Sequence, residues 1–163
     1  MTIIGGADGP TSIFITSTWG WLNSFGLIIM ALLLVPNIVW ALRHKNATNQ
    51  CRSKLMNLLE QIGRYGSMFL MVFNIGVAEF GFASPLSFIV YLLGNAVLLL
   101  LYWTFWIVFA KKPTMFPALM LAILPTLVFL LCGVTLRHWL LLGFGILFGI
   151  AHIYVTFCNV KEA

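Results

Sequence analysis

Charge is what this chain has least of. Asp, Glu, Lys and Arg make up 8% of its 163 residues, against 61% hydrophobic, whereas water-soluble domains carry roughly a quarter charged residues. Too few polar groups remain to cover a globule, so lipid is the expected solvent. Alternating strands of ~10 residues are missing, which excludes an outer-membrane-type barrel. Long polar stretches are missing too, leaving no room for a soluble domain. Cysteine is scarce: Cys51, Cys132 and Cys158 are widely spaced and never paired as CxxC, which implies neither a disulfide framework nor a zinc site. There is no HExxH, GxSxG or phosphate-binding loop, so no catalytic activity of the chain's own is expected. The first cation, Arg43, follows the first long apolar run, and a cleavable leader, which needs a basic start, is not expected.

What is present is a series of apolar runs near the ~20 residues a helix needs to cross hydrocarbon. The first runs from Trp21 to Leu42, with Pro36-Asn37 offering a kink. The second starts amphipathically over Ser53 to Arg64 and continues from Tyr65 to Ala83, with Glu79 at its far end and a turn at Ser84-Pro85. The third covers Pro85 to Ala110, the fourth Met115 to Leu136 with Pro125 inside it, and the fifth Trp139 to Phe157. These predict an all-α polytopic membrane protein of about five transmembrane helices, forming one bundle over residues 18–163. Residues 1–17, broken by Gly5, Gly6, Gly9 and Pro10, predict a separate turn-containing segment. Arg43, Lys45, Arg52, Lys54, Lys111, Lys112 and Lys161 fall on one side of the spans and Arg137 alone on the other. The excess of basic residues places that side in the cytoplasm, with the N-terminus outside and the C-terminus inside. The net charge of +5 therefore marks helix ends and lipid headgroups, and nucleic acid is not an expected partner. Asn46-Ala47-Thr48 matches a glycosylation acceptor but lies in the cytoplasmic basic loop, where that modification does not occur.

Polar residues recur within the spans at helical spacing. Glu60, Arg64, Ser67, Met71 and Asn74 share one face of the second; Ser87, Tyr91, Asn95 and Tyr102 one face of the third; Gly145, Gly149, His152 and Thr156 one face of the fifth. Glu60 and Arg64 stand one turn apart and can pair. Two readings apply to these stripes. Either they bond neighbouring helices together, at about 0.6 to 2 kcal/mol each, or Glu60, Arg64, Asn74, Asn95 and His152 form an intramembrane polar site, since ionisable residues at membrane depth are costly and often functional. Gly145 and Gly149 also make a GxxxG pair, a weak signal for association with a second copy.

One short stretch is chemically sharper: Gly5-Gly6-Ala7-Asp8-Gly9-Pro10-Thr11-Ser12-Ile13-Phe14. Adjacent glycines let the backbone come close, Gly-Pro prevents a continuous helix, and freed carbonyls can join Asp8 and the hydroxyls as hard oxygen ligands for a cation. Broken helices of ion transporters bind sodium or protons in this way. The other reading is an external turn with an exposed carboxylate. The stretch resembles the GGADGPT signature of the beta subunit of bacterial sodium-translocating decarboxylases, the membrane subunit that couples decarboxylation of a carboxybiotin carrier to sodium export. The resemblance covers Met1 to Ser17 and implies that Asp8 binds sodium or a proton, with Gly5, Gly6, Gly9 and Thr11 shaping the site. It also implies a bacterial inner membrane and decarboxylase subunits as partners. Members of that family complete the site with polar residues of a later helix, so the other ligands of Asp8 are expected from other helices or another chain.

Two functions follow as expectations. The first is a small membrane transport or transport-accessory protein that binds sodium or a proton; the alternative is a noncatalytic interaction or scaffold protein, homo-oligomeric or a subunit of a larger complex. No cofactor other than sodium is implied.

Overall fold

The computed structural model describes residues 21–44, 49–75, 82 and 84–162. Among them are five helices: α1 (Ser24–Arg43), α2 (Lys54–Val72), α3 (Pro85–Lys111), α4 (Met115–Thr135) and α5 (Trp139–Glu162). Four of these, α1, α3, α4 and α5, are long and apolar enough to cross a membrane. The architecture is that of an all-α, multi-pass membrane protein. The shorter α2 differs because it carries Lys54, Glu60, Gln61 and Arg64.

The helix starts are written in capping residues. The side chain of Asn23 accepts from the Gly26 N–H, that of Ser53 from Met56 and that of Ser84 from Ser87, with Pro85 in the first turn where its missing N–H does no harm. His138 does the same for α5, its ring Nδ1 accepting from the Leu141 N–H at 3.2 Å. Between α4 and α5 the chain reverses tightly. The His138 N–H reaches the Gly133 carbonyl at 2.8 Å and the Arg137 N–H that of Val134 at 3.2 Å. This pattern places Arg137 in the left-handed region, with φ 55, where glycine is favoured.

The second helix is shorter than its apolar sequence predicts. It ends at Val72, and Phe73 is extended and pairs with Leu22 in an antiparallel bridge. Bonds from the Asn23 N–H to Val72 O at 2.8 Å and from the Asn74 N–H to Trp21 O at 2.9 Å flank the bridge. Trp21 stacks on Phe73, ring centroids 5.7 Å apart. Backbone groups that a continuing helix would have used are thus satisfied by the chain leading into α1. Glu79 and the rest of residues 76–81 lie outside the described residues.

The helices pack in a ring, α1–α2–α5–α4–α3 and back to α1, and α2 and α3 make little or no direct contact. Close approach on either side of α5 depends on small residues. A Cβ at Gly63 of α2 would lie 2.6 Å from the backbone N and 2.7 Å from the Cα of Phe148. On the other side of α5, Gly149 faces Thr126 and Gly145 faces Phe129 and Leu130. The small-residue stripe of α5 is therefore covered by α4 of the same chain.

α1 is fastened to α3 by polar groups. Pro36 has no N–H to offer the Leu32 carbonyl, and the indole N–H of Trp103 donates to that carbonyl at 3.1 Å. One residue on, Asn37 Nδ2 donates to Leu33 O at 2.8 Å and to the Tyr102 hydroxyl oxygen at 2.7 Å. The basic residues Arg43, Arg52, Lys54, Lys111, Lys112 and Lys161 gather at one end of the bundle and Arg137 at the other. At the basic end the loop after α1 is tied to α5, because Asn159 Oδ1 accepts from the backbone N–H groups of Gln50 and Cys51 at 2.8 and 3.0 Å.

Candidate functional site

The Glu60 carboxylate is buried, 7% exposed. It sits six residues into α2, about 9 Å along the helix at ~1.5 Å per residue. Gly63, one turn further, lets the backbone of α5 come against α2, and His152, one turn beyond Phe148, is carried to the carboxylate. Glu60 Oε1 lies 2.8 Å from His152 Nδ1 and accepts from Nη2 of Arg64. A single oxygen thus serves a guanidinium on its own helix and an imidazole on the next. Phe148 holds both cation-forming groups from below: His152 stacks on its ring at 4.6 Å and 18°, and Arg64 Cζ stands 6.0 Å from its centroid.

The chemistry of the cluster follows from its donors. An ionised carboxylate only accepts, so Nδ1 of His152 must carry the hydrogen that faces Glu60. That leaves Nε2 as the ring nitrogen with a lone pair to offer. Adding a proton to either partner changes the charge opposite Arg64, whose side chain is 44% exposed.

Three of the five polar residues expected to form an intramembrane site, Glu60, Arg64 and His152, therefore meet. The other two do not join them. Asn95 bridges α3 and α4, donating to Tyr91 O at 2.7 Å and accepting from Cys132 Sγ at 3.6 Å. Asn74 lies beyond the end of α2, off its helical face, within the pairing with Trp21. The third-span stripe also divides: Ser87 donates to Thr135 O at 3.1 Å on α4, whereas Tyr102 turns to Asn37 on α1. Asp8, Gly5, Gly6, Gly9 and Thr11 lie outside the described residues. Among the described residues no three His, Cys, Asp or Glu side chains group to hold a metal ion.

Spacing did not single out Trp103, whose indole N–H meets the Leu32 carbonyl of α1. The available signal was Pro36, because the carbonyl it frees needs a donor from a neighbouring helix. Compared with protein-family models, curated proteins and solved structures, the chain matches none.

Proposed function

We propose that this chain is a small membrane transport or transport-accessory protein in which the Glu60–His152 pair takes up and releases a proton, oriented in a bacterial inner membrane with its basic end in the cytoplasm. One observation carries the reading: a buried carboxylate shared between Arg64 and His152, on two helices brought together at Gly63. Ionisable residues in the body of a membrane bundle are costly and mark proton and ion pathways. Neutral groups suffice to bond two helices, as Asn95 and Cys132 do between α3 and α4. The resemblance around Asp8 adds sodium to the same reading, as the ion exchanged against the proton.

The test uses vesicles that enclose a pH-sensitive dye and receive a pH step with and without sodium. Wild type should relax the step faster than protein-free vesicles, and Glu60→Gln and His152→Gln should not. Equal rates in wild type and Glu60→Gln overturn the proton role. Asp8→Asn should keep the proton response and lose its dependence on sodium; an unchanged sodium response removes sodium from the proposal.

A further inference from the structure

α1 and α3 run side by side in parallel. Phe25 packs against Phe88, Asn37 bonds the Tyr102 hydroxyl at 2.7 Å, and Trp40 meets Trp106 with ring centroids 6.1 Å apart. Three contacts in one register bring both C-terminal ends out at the same level. Arg43 lies three residues beyond the Trp40–Trp106 contact, and Lys111 and Lys112 lie five and six residues beyond it. These positions are about 5 to 9 Å further along the axis, at the rise of an α-helix. Tryptophan side chains settle where hydrocarbon meets the headgroups, and Trp40 and Trp106 are both partly buried. The three cations therefore stand at the depth of the lipid phosphates, and all three are exposed.

Among the described residues no carboxylate meets Arg43, Lys111 or Lys112, and neither helix contains an acidic residue. Arg64 shows the contrast, since Glu60 answers its charge. Carbonyls of the last turns are also served without these cations: the His44 N–H closes on Trp40 O and the Lys112 N–H on Val108 O, both at 2.9 Å. His44 stacks on the Trp40 ring at 4.8 Å, which holds the end of α1 against the aromatic pair. Three like charges without counter-ions repel one another, and an anionic headgroup relieves that repulsion where a net-neutral one does not. We infer that the paired ends of α1 and α3 bind the phosphate of one anionic phospholipid. Arg43, Lys111 and Lys112 supply the charge, and the Trp40–Trp106 pair is the floor beneath it. The guanidinium of Arg43 offers two parallel N–H groups to phosphate oxygens, and the two ammonium groups act as point charges. Val39 and Leu42 of α1 and Ile107 and Val108 of α3 are exposed within a turn of the aromatic pair, an apolar surface for the acyl chains of the same lipid. The other basic residues of these helix ends, Lys54 and Lys161, belong to the α2–α5 side of the ring. The surface is separate from the Glu60–His152 pair and does not depend on the proton reading.

Phosphatidylglycerol mixed at rising fractions into phosphatidylcholine nanodiscs that hold the protein tests the surface, read by thermal unfolding and by native mass spectrometry. Wild type should show a saturable rise in Tm and should retain one phosphatidylglycerol per chain. Each cation near a membrane surface is worth about fivefold in binding, so Arg43→Gln/Lys111→Gln should weaken retention about 25-fold. Lys111→Gln/Lys112→Gln, which leaves α1 untouched, should weaken it as much and serves should the first variant not fold. Lys54→Gln/Lys161→Gln removes the same charge from α2 and α5 and should respond as wild type does. Equal weakening by all three double variants overturns the site, because it assigns the response to the potential of the whole basic end. An equal rise in Tm when inorganic phosphate at matched ionic strength replaces phosphatidylglycerol overturns it too, since a free anion then suffices.

Discussion

The α2–α5 and α3–α4 interfaces solve the same problem with different chemistry. Both bring polar side chains together away from water. Between α3 and α4 the groups are neutral, with Asn95 on Cys132 and Ser87 on the Thr135 carbonyl. They hold helices in register and have one charge state. Between α2 and α5 the groups are Glu60, Arg64 and His152, and the backbones touch at Gly63. A neutral bond is enough for packing, so the charged one identifies the interface that can respond to its surroundings.

Glu60→Ala should produce the largest effect, because it leaves Arg64 without its counter-charge. A loss of about 2 to 3 kcal/mol is expected in unfolding measured in a bilayer mimetic, the low end for a broken buried pair since Arg64 is half-exposed. Asn95→Ala should cost about 1 kcal/mol or less, and equal losses would break the contrast. Next comes a pair of glycines. Gly63→Ala places a methyl against the Phe148 backbone, which cannot turn aside, and should cost about 2 kcal/mol. Gly94→Ala meets Leu131 Cδ2 at 2.7 Å, the end of a flexible side chain, and should cost under about 1 kcal/mol. Arg137→Gly serves as a control outside both interfaces: relieving φ 55 should raise stability by about 1 kcal/mol without altering either contrast.

The smallest effect concerns pH. Burial holds the His138 imidazole below its usual range, so the folded protein keeps it neutral while the unfolded chain takes up a proton first. Stability from this residue is present above its unfolded pKa, ~6.5, and is lost as pH falls through that value. His138→Asn keeps an acceptor for the Leu141 N–H and should flatten this part of the profile. Any slope that remains is then assigned to the α2–α5 interface, and its disappearance in Glu60→Gln checks the assignment.

Four of the five helices were legible in apolar runs and their caps, since membrane crossing needs only length and composition. The end of α2 was not, because apolar sequence continues past Val72 while the backbone turns to pair with Leu22, a partner that only the fold supplies. The Glu60–Arg64 pair could be read from its i,i+4 spacing. His152 could be marked as polar but not matched to Glu60, 92 residues away, because no local periodicity encodes which helices become neighbours. Asn74 showed the reverse error: helical spacing put it on a stripe that stops before reaching it. Residues around Asp8 carried the sharpest motif and lie outside the described residues, so their chemistry rests on the resemblance alone.

Asn159 closes a loop that precedes it by 108 residues, through the backbone of Cys51. A ribosome that has released only the first two helices has made the loop and its local bonds, from the Cys51 N–H to Asn49 and from Asn57 to the Cys51 carbonyl, but not the side chain that ties it to the bundle. That tie must wait until the fifth helix packs beside the second. Insertion of α5 would then be felt at the start of the fold, and Asn159→Ala should leave the helices in place while exposing the region after α1 to protease.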